Sequence, residues 1–131
     1  ADGGGVSRAP VPALALAVAL SGCLQGPRAA APAYLGAEAA ALDAELVRVT
    51  ARIDGGAPED AARYARCATA QFALSRGARF ARHLRTSVSR KAGVRIADAV
   101  YTVSPTLPRG AHPLDAAAIV ADCRARGVPT V

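Results

Sequence analysis

Three cysteines carry the reactive chemistry of this 131-residue chain. Cys23 closes the stretch Leu20-Ser21-Gly22-Cys23, directly after the apolar run from Val11 to Leu20. An apolar run, then small residues, then a thiol is a lipobox pattern. A signal peptidase cuts before the cysteine, and the thiol carries a diacylglycerol. The apolar run is ten residues long and reaches only about 15 Å as a helix, while a bilayer core needs about 20 apolar residues. It has the length of a signal-peptide core. The other reading is a buried apolar helix ending in a free thiol, but Pro10 and Pro12 leave such a helix little length. The expected organisation is a signal segment over residues 1–22, a lipidated Cys23 with a flexible tether over 23–36, and one small domain over 37–131. Leu24, where retention at an inner membrane usually needs Asp, favours the outer membrane in a cell that has one.

With Cys23 lipidated, Cys67 and Cys123 remain as an even pair, and exported proteins meet an oxidising compartment. A disulfide between them closes a loop of about 57 residues, which chain entropy puts at roughly 4 kcal/mol. The competing assignments are two unconnected thiols, or a zinc site with His83 and His112, which has none of the short paired spacings of structural zinc. A staple suits the composition. Hydrophobic residues make up 52% of the chain, yet much of that is alanine, with no Trp or Met and only two Phe. Small domains with thin cores usually need a covalent or metal support.

The net charge is +6, and its distribution is uneven. Between Asp60 and Asp98 there is no acid, while Arg63, Arg66, Arg76, Arg79, Arg82, Arg85, Arg90, Lys91 and Arg95 all fall there. Strict alternation along a strand places Arg79 and Arg85 on one face with His83. That reading makes Arg79, Arg85, Arg90 and Lys91 one positive surface toward anionic lipid or cell-wall polymer. The bland alternative is a solvated face in an arginine-rich chain. Interleaved aromatics for base stacking are missing, so nucleic acid is not the expected partner. No Gly-x-Ser-x-Gly or His-Glu-x-x-His pattern is present. The chain is therefore read as a non-enzyme, and no cofactor or catalytic residue is implied.

The elements that must position these residues follow from periodicity. Residues 24–34 read as the tether, with Gly26, Pro27 and Pro32 opposing regular structure. Leu42, Leu46, Val49 and Ile53 fall at helical spacing, so residues 37–53 read as a first helix, with Glu45 and Arg48 paired across one turn. A second helix is expected from Pro58 to Arg76, closed by Gly77. Tyr64, Cys67, Gln71 and Leu74 form its inner stripe, and Arg63, Arg66 and Ala73 its outer face. The period then changes to two from Arg79 to Val88. A turn at Ser89–Gly93 and a strand from Val94 to Ser104 complete a hairpin. Residues 112–127 are open between a third strand, a helix capped by Asp115, and a short strand leading into a helical turn around Cys123. The resulting fold class is α+β, with two helices packed on an antiparallel hairpin or three-stranded meander.

From Tyr64 onward the chain resembles small uncharacterised bacterial lipoproteins. The resemblance rests on Tyr64-Ala-Arg-Cys-Ala-Thr-Ala-Gln-Phe-Ala-Leu-Ser-Arg-Gly77, Phe80-Ala-Arg-His-Leu-Arg-Thr86, Ala97-Asp-Ala-Val-Tyr-Thr-Val-Ser-Pro-Thr-Leu-Pro-Arg-Gly110 and the tail Gly127–Val131. It implies an envelope lipoprotein with a helix followed by a hairpin, and no reaction. The leading function is thus a lipid-anchored structural or interaction module, its protein partner unnamed. A small basic nucleic-acid-binding protein and an envelope enzyme without a visible motif are the alternatives.

Overall fold

The computed structural model describes residues 31–110 and 112–130. The signal segment, Cys23 and the tether up to residue 30 lie outside the described residues. The chain runs β1 (Ala33–Ala41), β2 (Leu46–Asp54), α1 (Pro58–Ser75), β3 (Phe80–Lys91), β4 (Val94–Ser104), β5 (Leu114–Asp115) and α2 (Ala116–Ala125). The class is α+β with two helices, as expected. The sheet, however, has five antiparallel strands in the order β1-β2-β4-β3-β5.

The two extra strands come from residues 37–53, where a helix was expected. Val47, Val49, Ala51 and Ile53 are all buried and alternate with more exposed residues. That period-two pattern is carried by β-branched residues, which suit a pleated surface better than a helix. The segment fits both templates, with Leu42, Leu46, Val49 and Ile53 at helical spacing, and strand pairing decides between them. Asp43 fixes the turn by accepting the backbone N–H groups of Glu45 (2.8 Å) and Leu46 (2.7 Å). Those bonds hold the Asp43 carboxyl below the usual aspartate range, the Glu45 bond contributing most. Nor are Ala33 to Gly36 tether: they open β1, and the Tyr34 ring meets Tyr64 edge-on at 4.9 Å.

Helix α1 sits where it was expected. Pro58 opens it and the Asp60 carboxylate accepts the Ala57 N–H at 2.8 Å. Gly77, at φ +75°, lets the chain reverse so that Ala78 N–H reaches the Ala73 carbonyl at 2.8 Å. The inner face differs at its end, since Ala73 is fully buried and Leu74 is exposed. The open segment at 112–127 resolves as a short strand followed by a helix, with the Asp115 carboxylate capping Ala118 N–H at 3.1 Å.

The core between α1 and the sheet is built from small side chains. Its largest fully buried members are Ile53, Val47, Val49, Thr69 and Cys67, amid many alanines. Thr69 is satisfied by its own helix, donating to the Ala65 carbonyl at 2.8 Å. Cys67 on α1 and Cys123 on α2 are both buried and joined by a disulfide, with their Cα atoms 6.0 Å apart. The bridge ties the two helices together over a core of small side chains.

Candidate functional site

The outer strand of each hairpin, β1 and β3, is bulged, and the bulge in β3 decides where its side chains go. His83 lies opposite Tyr101 and Arg85 opposite Val100, so Leu84 is an extra residue. A single inserted residue reverses the alternation beyond it. Before the bulge, Ala81 and His83 point to the helix-covered face, opposite buried Val103 and Tyr101. After it, Thr86 and Val88 point there, opposite buried Ala99 and Ala97. Leu84 itself is pushed to solvent and is 45% exposed.

His83 and Thr86, three residues apart, are thereby brought to one face. His83 Nε2 and Thr86 Oγ1 lie 2.7 Å apart. In a regular strand they would lie on opposite faces. The His83 ring packs edge-on against Tyr101 at 5.0 Å. Strand β5 pairs only with Phe80 and Ala81, leaving a groove between this part of β3 and the start of α1. Glu59, Arg63 and Arg66 line its helix side, and His83, Thr86 and Tyr101 its floor, around about 450 Å³.

The electrostatics of the groove are set by what each base already binds. Arg63 Nη1 is engaged by Asp60 at 3.1 Å. Arg66 has no ion-pair partner among the described residues. Burial pushes the Tyr101 phenol above its usual value, while the nearby Arg66 charge and a hydrogen bond with Thr86 pull it back. On the other side of Arg63 and Arg66 a second cavity of about 460 Å³ runs along the disulfide. Its carboxylates are committed: Asp115 caps α2, and Asp122 pairs with Arg126 at 2.9 Å.

The basic surface expected from Arg79, Arg85, Arg90 and Lys91 is not assembled. The bulge turns Arg85 to the open face, where it sits near Asp98 and helps to hold that carboxyl low. Arg79 lies just before β3, its guanidinium 5.8 Å from the centre of the Phe80 ring. Arg90 and Lys91 are at the far end of the strand, about 35 Å away at ~3.3 Å per residue, several screening lengths at physiological salt. They form a different group, with Arg90 opposite Arg95 across the two-residue turn Ala92-Gly93. Arg48, expected to pair with Glu45, binds Asp98 instead, with Nε to Oδ1 at 3.0 Å.

Alternation alone pointed away from the groove. Strict alternation puts Leu84 on one face with Phe80, Arg82, Thr86 and Val88, where an apolar residue is ordinary, so the residues gave little sign of the break.

Residues 34–127 match the family model of the YNQ4 C-terminal domain. The chain is 37% identical over 103 residues to an uncharacterized 26.9 kDa protein in the nqo8 5' region of Paracoccus denitrificans, an alignment covering 73% of this chain. It spans 40% of that relative's length. No solved structure matches.

Proposed function

This chain belongs to the YNQ4 C-terminal domain family, and on that premise we propose that it is an exported envelope module, held at a membrane by lipid on Cys23 and acting by binding rather than by chemistry. The observation that carries the reading is the Cys67–Cys123 disulfide. Disulfides persist in secreted and periplasmic proteins and are rare in reducing compartments. The bridge is buried and joins two helices, so it is part of the fold rather than an exposed redox pair.

The sheet also gives the module an orientation. Ala33, Asp54, Val94 and Lys91 lie in one row across β1, β2, β4 and β3. The end of the sheet at which β1 enters is therefore the end that carries Arg90, Lys91 and Arg95. Ten residues separate Cys23 from Ala33, a reach of at most about 35 Å. An anchor on Cys23 would keep this hairpin tip within reach of the membrane, where each base adds about 1 kcal/mol against anionic headgroups. Contact with an anionic surface is thus proposed for the tip rather than for the whole basic stretch.

The test is the intact mass and membrane partitioning of the full chain expressed in a bacterium with lipoprotein processing. Loss of residues 1–22, added acyl mass on Cys23 and a Cys67–Cys123 bridge are expected together. Cys23→Ser should lose the acyl mass. The reading fails if the parent chain keeps residues 1–22 or carries no acyl mass on Cys23.

A further inference from the structure

We propose that the groove between α1 and the bulged part of β3 is a binding site for a small solute bearing an oxyanion, a phosphate or carboxylate group, with Arg66 as its principal charge and Thr86 and Tyr101 as hydroxyl partners. Four observations support this independently of any membrane anchor. First, the groove encloses about 450 Å³, within the range of small-ligand sites. Second, of the two arginines that line the groove, Arg63 is held by Asp60 while Arg66 has no carboxylate partner among the described residues. A guanidinium fork matches the two oxygens of a carboxylate or phosphate. Third, the bulge at Leu84 gathers His83 and Thr86 beneath that charge, 2.7 Å from one another. Bulges re-aim side chains in this way at binding sites. Fourth, Tyr101 lines the groove together with Thr86, and its ring meets His83 edge-on at 5.0 Å. Glu59 bounds the opposite end of the groove and repels a second anionic group there, which favours a ligand with one oxyanion over a polyanionic chain.

The adjoining cavity along the disulfide does not compete for the anion. Its walls add Arg126, already paired with Asp122, and the Asp115 cap of α2, but no hydroxyl side chain, whereas Thr86 and Tyr101 line the groove. The oxyanion is therefore placed on the Tyr101 side of Arg66.

The experiment is an amide-shift titration of the full oxidised chain with inorganic phosphate, with acetate and with neutral glycerol, each at constant ionic strength. Phosphate, acetate or both should shift residues around Arg66, Thr86 and Tyr101 saturably, and glycerol should not. The tighter of the two anions assigns the group the site takes. Arg66→Gln should weaken that anion about tenfold, and Thr86→Val about threefold with the rest of the spectrum unchanged. Lys91→Gln, remote from the groove, should bind like the parent. The inference is overturned if neither anion saturates, if Arg66→Gln binds like the parent, or if Lys91→Gln loses as much as Arg66→Gln.

Discussion

Hairpin β1–β2 presents Val47, Val49 and Ile53 to the helical layer, whereas hairpin β3–β4 presents Ala81, Ala97 and Ala99 with Tyr101 and Val103 toward its end. Their plans are alike. Each outer strand is bulged once, at Leu35 in β1 and at Leu84 in β3, and each bulged leucine is exposed. Their support differs. The first hairpin buries branched side chains against α1. The second has mostly methyl groups to offer, and the helix that follows it, α2, is fastened to α1 by a disulfide. The hairpin with fewer branched side chains to bury is also the one that leaves a polar groove open. A thinner apolar floor leaves room for His83, Thr86 and Tyr101, and the cross-link supplies stability that burial there does not.

Removing the cross-link is the largest break in this comparison. Reduction, or Cys67→Ala with Cys123→Ala, should cost roughly 4 kcal/mol by the loop-entropy argument, read from urea midpoints with and without the bridge. Hydrogen exchange should show α2 and β5 losing protection before β1 and β2. A loss below about 1 kcal/mol would mean that the second half is held by its own packing. On the other side, Ile53→Ala should cost about 2–5 kcal/mol, because a fully buried branched side chain leaves a cavity. Ala99→Gly in the second hairpin, equally buried, should cost only about 0.5–1 kcal/mol. Equal losses from these two would erase the contrast between the hairpins.

The same contrast explains which parts of the fold could be read in the residues. Helix α1 was legible because its signals agree: Pro58 and Asp60 at the start, a 3.6-residue stripe, and Gly77 at the end. The β3–β4 hairpin was legible from its period of two and its Gly93 turn. The β1–β2 hairpin was not, because Leu46, Val49 and Ile53 satisfy a helical template while Val47, Val49, Ala51 and Ile53 satisfy a strand template. Only pairing with β4, a contact 40 or more residues away, decides between them. The Cys67–Cys123 pairing was legible from cysteine number. The groove was not, since one inserted residue at Leu84 reverses every face assignment after it, and local sequence marks that insertion only faintly. Arg85 was assigned to the face of His83 for that reason and lies on the other.

The smallest expected effect joins the two hairpins across the open face. Arg48 of β2 and Asp98 of β4 form a fork, with Arg85 of β3 nearby. The hydrogen bond from Arg48 is the chief cause of the lowered Asp98 value; burial opposes it, and the charges of Arg48 and then Arg85 lower it further by less. The arginine side chain is 55% exposed, so solvent screening keeps the pair's contribution small. A carboxyl whose folded value is depressed contributes its full stability above the unfolded value, about 3.9 for aspartate, and loses it as pH falls through the lower folded value. The difference in unfolding free energy between the parent and Asp98→Asn should therefore be flat from neutral pH down to about pH 5, then shrink below about pH 4. It should also shrink with added salt at pH 7. A difference that grows on acidification, or one as large as that of Ile53→Ala, would show that the open face holds the hairpins together as strongly as the buried one.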